Sequence, residues 1–203
     1  SVTELEGGAS VMVLRQDGRQ DLFQKTESGY QAPSGVTDTL AKVEGVFQLT
    51  TLEGIVYRFD SSSRIASITD DYGLKTTFGY DANGRLATIT DPSAQMLTFV
   101  YNASNHITSV KDSTGREVKF AYSSAGDLES VTDALGGITK YAYDSQHRIT
   151  QITDPRGNVI LKNTYDSQGR ITEQRDGLEN LWKLAYGPGE TTVTEPQGGK
   201  LTY

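Results

Sequence analysis

The sequence predicts an all-β protein: tandem antiparallel β-hairpins of about 21 residues forming a curved, open sheet. Three observations carry that expectation. Phe59, Tyr80, Tyr101, Tyr122, Tyr143, Tyr165 and Tyr186 recur at intervals of 21, 21, 21, 21, 22 and 21 residues, and a fixed period of this size marks a repeat architecture. Between turns the apolar residues alternate: Thr76-x-Phe78-x-Tyr80, Leu97-x-Phe99-x-Tyr101, Val118-x-Phe120-x-Tyr122 and Trp182-x-Leu184-x-Tyr186. Side chains two apart share one face of a strand, and helix spacing fails on these segments. Finally, 35 % hydrophobic content with 21 Gly and 11 Tyr, against 2 Met and 1 Trp, suits short strands and turns better than packed helices.

Composition excludes several classes. A net charge of −7 argues against a nucleic-acid footprint, which needs a basic face. The absence of Cys removes disulfide frameworks and thiolate metal sites. No apolar run approaches the roughly 18 residues of a membrane helix, and no signal-peptide pattern opens the chain. A chain that starts at Ser1 and stops at Tyr203 in mid-repeat is expected to be a piece of a longer polypeptide.

In order, residues 1–45 are the least regular and are expected to form an irregular β lead-in or cap, since terminal repeats are usually atypical. Val11–Leu14 and Leu22-Phe23 read as strands around an Asp17-Gly18 hairpin turn. Gly29–Gly35, with Pro33, reads as loop, and Val36–Val43 as a strand or a short connecting element. Residues 46–203 form the repeat array, beginning with a hairpin of Val46–Thr50 and Ile55–Phe59 around Leu52-Glu53-Gly54.

Each copy opens on its aromatic, followed by Asp60, Asp81, Asn102, Ser123, Asp144 or Asp166. Three residues later stand Ser63, Gly84, Asn105, Gly126, His147 and Gly169. That position favours residues able to enter the left-handed region. Asp-x-x-Gly-Arg, with Arg85 and Arg170 as examples and Arg148 in a variant, fits a three-residue loop: a type I turn closed by a glycine bulge. The loop sets Ile65, Leu86, Ile107, Leu128, Ile149 and Ile171 opposite the opening aromatics as cross-strand pairs. Return turns are marked by Asp70, Asp91, Asp112, Asp133, Asp154 and Asp176, with Gly73, Gly115, Gly136 and Gly157 three residues on; Ala94 and Glu179 are exceptions.

Three irregularities stand out. The copy opening at Tyr143 carries one surplus residue within Val159–Thr164, read as a β-bulge. The last copy is about two residues short, so its turn must differ. In regular strands Ile68, Ile89, Val110, Val131 and Ile152 fall on the face opposite the aromatics. Either a bulge reorients them or both faces are partly buried.

The stacked phrases resemble the Rhs/YD-repeat family. The stretch Phe78–Pro92, FGYDANGRLATITDP, matches the family phrase at nearly every place; the likeness covers about 46–203, with a typical Gln16-Asp-Gly-Arg lead-in. The resemblance implies a β-spiral shell. In bacterial Rhs and Tc-toxin-like systems such a shell encloses a C-terminal toxic domain, and in teneurins a similar shell belongs to a cell-adhesion receptor. It therefore implies a non-catalytic wall segment of a secreted or cell-surface protein, partnered by further repeats and a cargo domain of the same polypeptide. The alternative is an adhesion or carbohydrate-binding module. A run of hairpins with bulge-forming glycines is expected to curl, as sheets beyond ~10 strands normally do.

The candidate chemistry is weighed against packing. Adjacent members of the Asp column are about 10 Å apart along the sheet, too far for one calcium ion, so turn capping is expected. His106 and His147 are the only histidines and fall at loop positions. The resemblance also brings an aspartate-dependent self-cleavage at paired Asp-Pro-x-Gly motifs, but only Asp154-Pro155-Arg156-Gly157 is complete, and it reads as a return turn. No catalytic constellation, cofactor or metal site is expected. The aromatics, acids, glycines and arginines named above are read as repeat-defining structural positions. Lys119, Lys140, Lys162 and Lys183 recur on the face away from the aromatics, either as a solvated row or as a contact for acidic glycans. Unpaired end strands make edge-to-edge self-association an expectation.

Overall fold

Loop chemistry sets the architecture, and the computed structural model describes all residues from 1 to 203. Strands follow one another through tight loops, and the single helical piece is a 3-10 turn at Glu6–Gly8. The chain divides into two units, Ser1–Phe99 and Val100–Tyr203.

In the first unit β1 (Val2–Leu5), β2 (Ser10–Leu14), β3 (Gln20–Thr26) and β4 (Gly29–Gln31) form a four-stranded sheet in sequence order. The β2–β3 hairpin turns through Asp17 and Gly18, where sequence placed it, with Leu14 opposite Gln20. Gly29–Gly35 is not loop throughout. Thr26 pairs Gly29 and Gln24 pairs Gln31, so the chain reverses over two residues and supplies partners for the backbone groups on the edge of β3.

The repeat hairpins follow as β5 (Thr39–Val43), β6 (Val46–Thr50), β7 (Val56–Phe59), β8 (Ile65–Thr69), β9 (Lys75–Tyr80), β10 (Leu86–Thr90) and β11 (Met96–Tyr101), which crosses the unit boundary. From β5 to β11 each strand pairs antiparallel with the next. Thr39–Val43 is therefore a strand, joined to β6 through Glu44 and Gly45, both at positive φ (52° and 83°). This is the turn whose twist suits a two-residue hairpin. The core lies between the two sheets: Val2, Val11, Val13 and Phe23 of the β1–β4 layer pack on Leu40, Phe47, Leu49 and Phe59. That layer caps the aromatic face of the first hairpins.

The second unit continues with β12 (Ile107–Asp112), β13 (Glu117–Tyr122), β14 (Leu128–Thr132), β15 (Ile138–Tyr143), β16 (Ile149–Thr153), β17 (Val159–Tyr165), β18 (Ile171–Asp176), β19 (Leu181–Gly187), β20 (Glu190–Thr194) and β21 (Lys200–Thr202). Neighbours in sequence pair antiparallel from β12 to β21, in a linear order. All fully buried apolar side chains lie in the first unit, so the second is a single layer with a half-buried aromatic face. No helix is long and apolar enough to cross a membrane.

One extra residue in each of five opening hairpins, those of Phe59, Tyr80, Tyr122, Tyr143 and Tyr165, resolves the face question there. Tyr80 stands opposite Leu86, but Gly79 stands opposite Thr88, so Ala87 is unpaired. The same slip isolates Ala66, Glu129, Thr150 and Thr172. A bulge shifts the period by one, so residues three apart, Leu86 and Ile89, join one face. Ile89 then meets Phe78, Ile68 meets Tyr57, Val131 meets Phe120 and Ile152 meets Tyr141. The apolar residues thus gather on the aromatic face.

The surplus residue of the Tyr143 copy is Ile160, skipped between the Leu161–Ile152 and Val159–Thr153 pairs. In the short last copy Gly187 pairs Glu190 across Pro188-Gly189, with Gly189 at φ 77°. Proline followed by a glycine at positive φ suits a type II turn.

Candidate functional site

The sequence-marked residues meet at the seams between successive hairpins. Within the opening loop, Asp81 accepts the backbone N–H groups of Asn83 and Arg85 on Oδ1, each at 2.9 Å, and Arg85 Nε on Oδ2 at 2.7 Å. The backbone closes beneath it: Asp81 N–H donates to Arg85 O and Gly84 N–H to Asp81 O, both 2.9 Å. Gly84 at φ 79° supplies the left-handed residue of the bulged type I loop. Asp60 with Arg64, Asp144 with Arg148 and Asp166 with Arg170 repeat the arrangement.

The return turns use the same loop. Asp91 accepts from Ser93 and Gln95, and Asp133 from Leu135 and Gly137. Asp154 accepts the N–H groups of Arg156 and Asn158 and the Asn158 side chain at 3.0 Å, with Gly157 at φ 86°. Left-handed φ persists without glycine at Ser63, Ala94, Asn105, His147 and Glu179, at 61–64°. Gly126 and Gly169 hold the same position at 93° and 82°.

These donors lower the carboxyl pKa values. The Thr114 hydroxyl, with Arg116 behind it, holds Asp112 down at about 2. The Arg85 backbone N–H lowers Asp81, the Arg148 side chain Asp144, the Asn158 side chain Asp154, and the Arg170 N–H Asp166. A carboxylate accepting several N–H bonds favours its charged form.

Arginine then crosses the seam. The Arg64 guanidinium lies 4.1 Å from the Tyr80 ring centre, Arg148 4.5 Å from Tyr165, and Arg170 4.2 Å from Tyr186. Each tyrosine hydroxyl donates to the carbonyl of the aliphatic residue after that arginine: Tyr80 to Ile65 at 2.8 Å, Tyr165 to Ile149 at 2.7 Å, Tyr186 to Ile171 at 2.8 Å. Arg148 Nη1 also reaches Asp166 O at 3.3 Å. Burial pushes the Tyr80 phenol up, with Asp60 adding to it.

Two seams vary the theme. His106 replaces arginine over Tyr122, ring centres 4.6 Å apart, while the Tyr122 hydroxyl still meets Ile107 O at 3.0 Å. Before Tyr143 the place holds Asp127, whose carboxylate is 2.8 Å from His147 Nδ1. Burial, then Asp127, raise the Tyr143 phenol. Both histidines are occupied in loops.

The lysine row sits on the opposite face. Lys119 stands between Ser109 and Thr132, and Lys140 between Ser130 and Thr153. Lys119, Lys162 and Lys183 lie 3.5, 3.8 and 3.7 Å from Glu117, Glu179 and Glu173; Lys140 has no carboxylate partner.

The clamp from Arg to the next Tyr escaped sequence reading. Its signal was present, because Arg64, Arg85, Arg148 and Arg170 each stand directly before the aliphatic residue. What the arrangement does chemically is hold: at the Arg64, Arg148 and Arg170 seams the acid, the guanidinium and the phenol are each committed to backbone or neighbour.

A teneurin YD-shell family model matches residues 38–137, and an RHS repeat model matches 122–159. No curated protein sequence matches the chain. Among solved structures, the Photorhabdus luminescens Tc holotoxin pore with mutated TccC3 is similar at 13 % identity and TM-score 0.54, over 87 % of this chain and 12 % of that one. A crystal structure of TcdB2-TccC3-TEV is similar at 14 % identity and TM-score 0.57, over 95 % and 14 %. The chain thus spans about an eighth of the length of the structures it matches, and at these identities the likeness is one of fold. With the two family models together running from residue 38 to 159 of the hairpin array, the chain belongs to the Rhs/YD-repeat family.

Proposed function

We propose that the chain is a non-catalytic wall segment of a YD-repeat shell that encloses another domain of the same polypeptide, of toxin type, in a secreted or surface-delivered protein. One observation carries this reading: the repeat-defining side chains are engaged within loops and seams. Asp144 is held by Arg148, Arg148 by Tyr165, and Tyr165 by Ile149 O. Groups held in this way strengthen a wall. The likeness to a Tc holotoxin pore supports the toxin setting.

In this reading residues 1–45 are a lead-in or cap and 46–203 the array, with β5 pairing across that division to β6. The cap closes one end of the aromatic face, and the remaining hairpins present that face half-buried. Limited proteolysis of the intact parent protein, read by mass spectrometry, tests the proposal. Protection of a downstream domain until the array itself is cut is the expected result. Early digestion of that domain while the array survives would overturn it.

A further inference from the structure

Where the backbone ladder of a seam stops, side chains take over. The ladder between β14 and β15 ends at Ser130 and Lys140, so Leu128 and Tyr143, nearer the opening loops, are not paired with each other. The β8–β9 ladder ends likewise at Ser67 and Thr77, and there the Tyr80 hydroxyl spans the gap to Ile65 O. Tyr122, Tyr165 and Tyr186 make the same bridge at their own seams. Tyr143 differs. Its hydroxyl donates to no carbonyl, and neither a guanidinium nor an imidazole lies over its ring. Asp127 holds the place of the arginine and Ser123 that of the loop aspartate, so this loop lacks the usual acid–cation pair.

The link that remains across this seam is His147 with Asp127. His147 Nδ1, in the following loop, lies 2.8 Å from Asp127 Oδ1, and the Asp127 carboxylate has no other partner. In the loop of His147 itself, Asp144 is taken by Arg148 at 2.7 Å, and that guanidinium turns to Tyr165 across the next seam. The Tyr143 phenol also stands near Asp127. His106 lies beyond Gly126, stacked on Tyr122. Asp127 is therefore the group that answers a charge on His147. An imidazole takes up its proton between about pH 8 and about pH 5, while an aspartate stays charged over that range. Both partners carry charge only at the acid end, which strengthens the contact.

We propose that the seam between the Tyr122 and Tyr143 hairpins is an acid-fastened joint, closed by His147 and Asp127 when the imidazole is protonated and the first to part when it is neutral. The fastening is present at the acid end of the window and lost as pH rises through it. The arginine seams keep their cation throughout and hold at either end. The joint rests on the seams alone and stands whether or not the array encloses a domain.

Hydrogen exchange of the 203-residue protein, read by mass spectrometry at about pH 8 and about pH 5.5 and corrected for the intrinsic pH dependence of exchange, tests it. Protection of Leu128–Thr132 and Ile138–Tyr143 should rise about threefold on acidification, the scale of one exposed ion pair. Ile149–Thr153 and Val159–Tyr165, across the Arg148 seam, should stay unchanged. His147→Gly should abolish the rise without harm to the loop, since Gly84, Gly126 and Gly169 hold the same place. Asp127→Arg, which restores the residue of the other seams, should protect this one at both pH values. An equal rise at both seams, a rise that persists in His147→Gly, or no gain at about pH 8 in Asp127→Arg would overturn the proposal.

Discussion

Arg148 belongs to one hairpin and Tyr165 to the next, yet the guanidinium lies 4.5 Å from the ring centre while the phenol reaches back to Ile149 O at 2.7 Å. The residue that holds the loop also holds the seam. Removing the hydroxyl with Tyr165→Phe should cost about 1 kcal/mol, the usual net worth of one hydrogen bond. Arg148→Ala loses the Asp144 pair and the ring contact together and should cost about 1–2 kcal/mol. The double variant is expected to cost less than the sum, because both changes break one network. Urea denaturation of the four proteins measures this; strict additivity would show that the contacts act separately.

Backbone strain at the loops gives a prediction of opposite sign. Ala94 holds φ 62°, a conformation that costs an ordinary residue about 1–2 kcal/mol. Ala94→Gly should raise stability by about 1 kcal/mol. Gly157→Ala should lower it by a similar ~1 kcal/mol, since φ is 86° and an added Cβ meets nothing within 4 Å. Thermal melts of both variants check the pair, and an unchanged melting temperature for Ala94→Gly would refute the account.

Acid should loosen the loops in a defined window. Asp112 has a folded pKa of about 2, against about 3.9 for an unperturbed aspartate. A lowered folded value means a contribution fully present above pH ~4 and lost as pH falls through about 2. Thr114→Ala removes the largest cause of the shift. The variant should show a shallower loss of stability between those limits, measured by denaturant titrations at stepped pH.

The lysine row gives a discriminating experiment. With Lys119, Lys162 and Lys183 close to glutamates, titration with acidic oligosaccharides is expected to stay flat. Saturable binding abolished by Lys140→Ala with Lys162→Ala would favour adhesion instead.

The repeat and its loops were legible because they are written in residue types with narrow conformational roles: Asp accepting loop N–H groups, Gly entering positive φ, aromatics alternating along strands. The opening bulge was not, since Ala66, Ala87, Glu129, Thr150 and Thr172 share no chemistry. Only the misplaced Ile68, Ile89 and Ile152 hinted at it. The packing of β1–β4 on the aromatic face was hidden as well, because a core that joins residues as distant in sequence as Phe23 and Phe59 leaves no periodic trace. Ala94 and Glu179 looked like exceptions at the return turn, yet the loop imposes its geometry on them too.

Ile160 shows what the array absorbs. One surplus residue is taken up inside β17, while Tyr165 and Ile171 beyond it remain in register. Because each fastening joins only two consecutive hairpins, its information is local, as in other linear repeat arrays. Whole hairpin pairs can therefore be gained or lost with the remaining joints intact. A fractional insertion is harmless only where a strand can swallow it, and within a loop it would detach the arginine from its tyrosine.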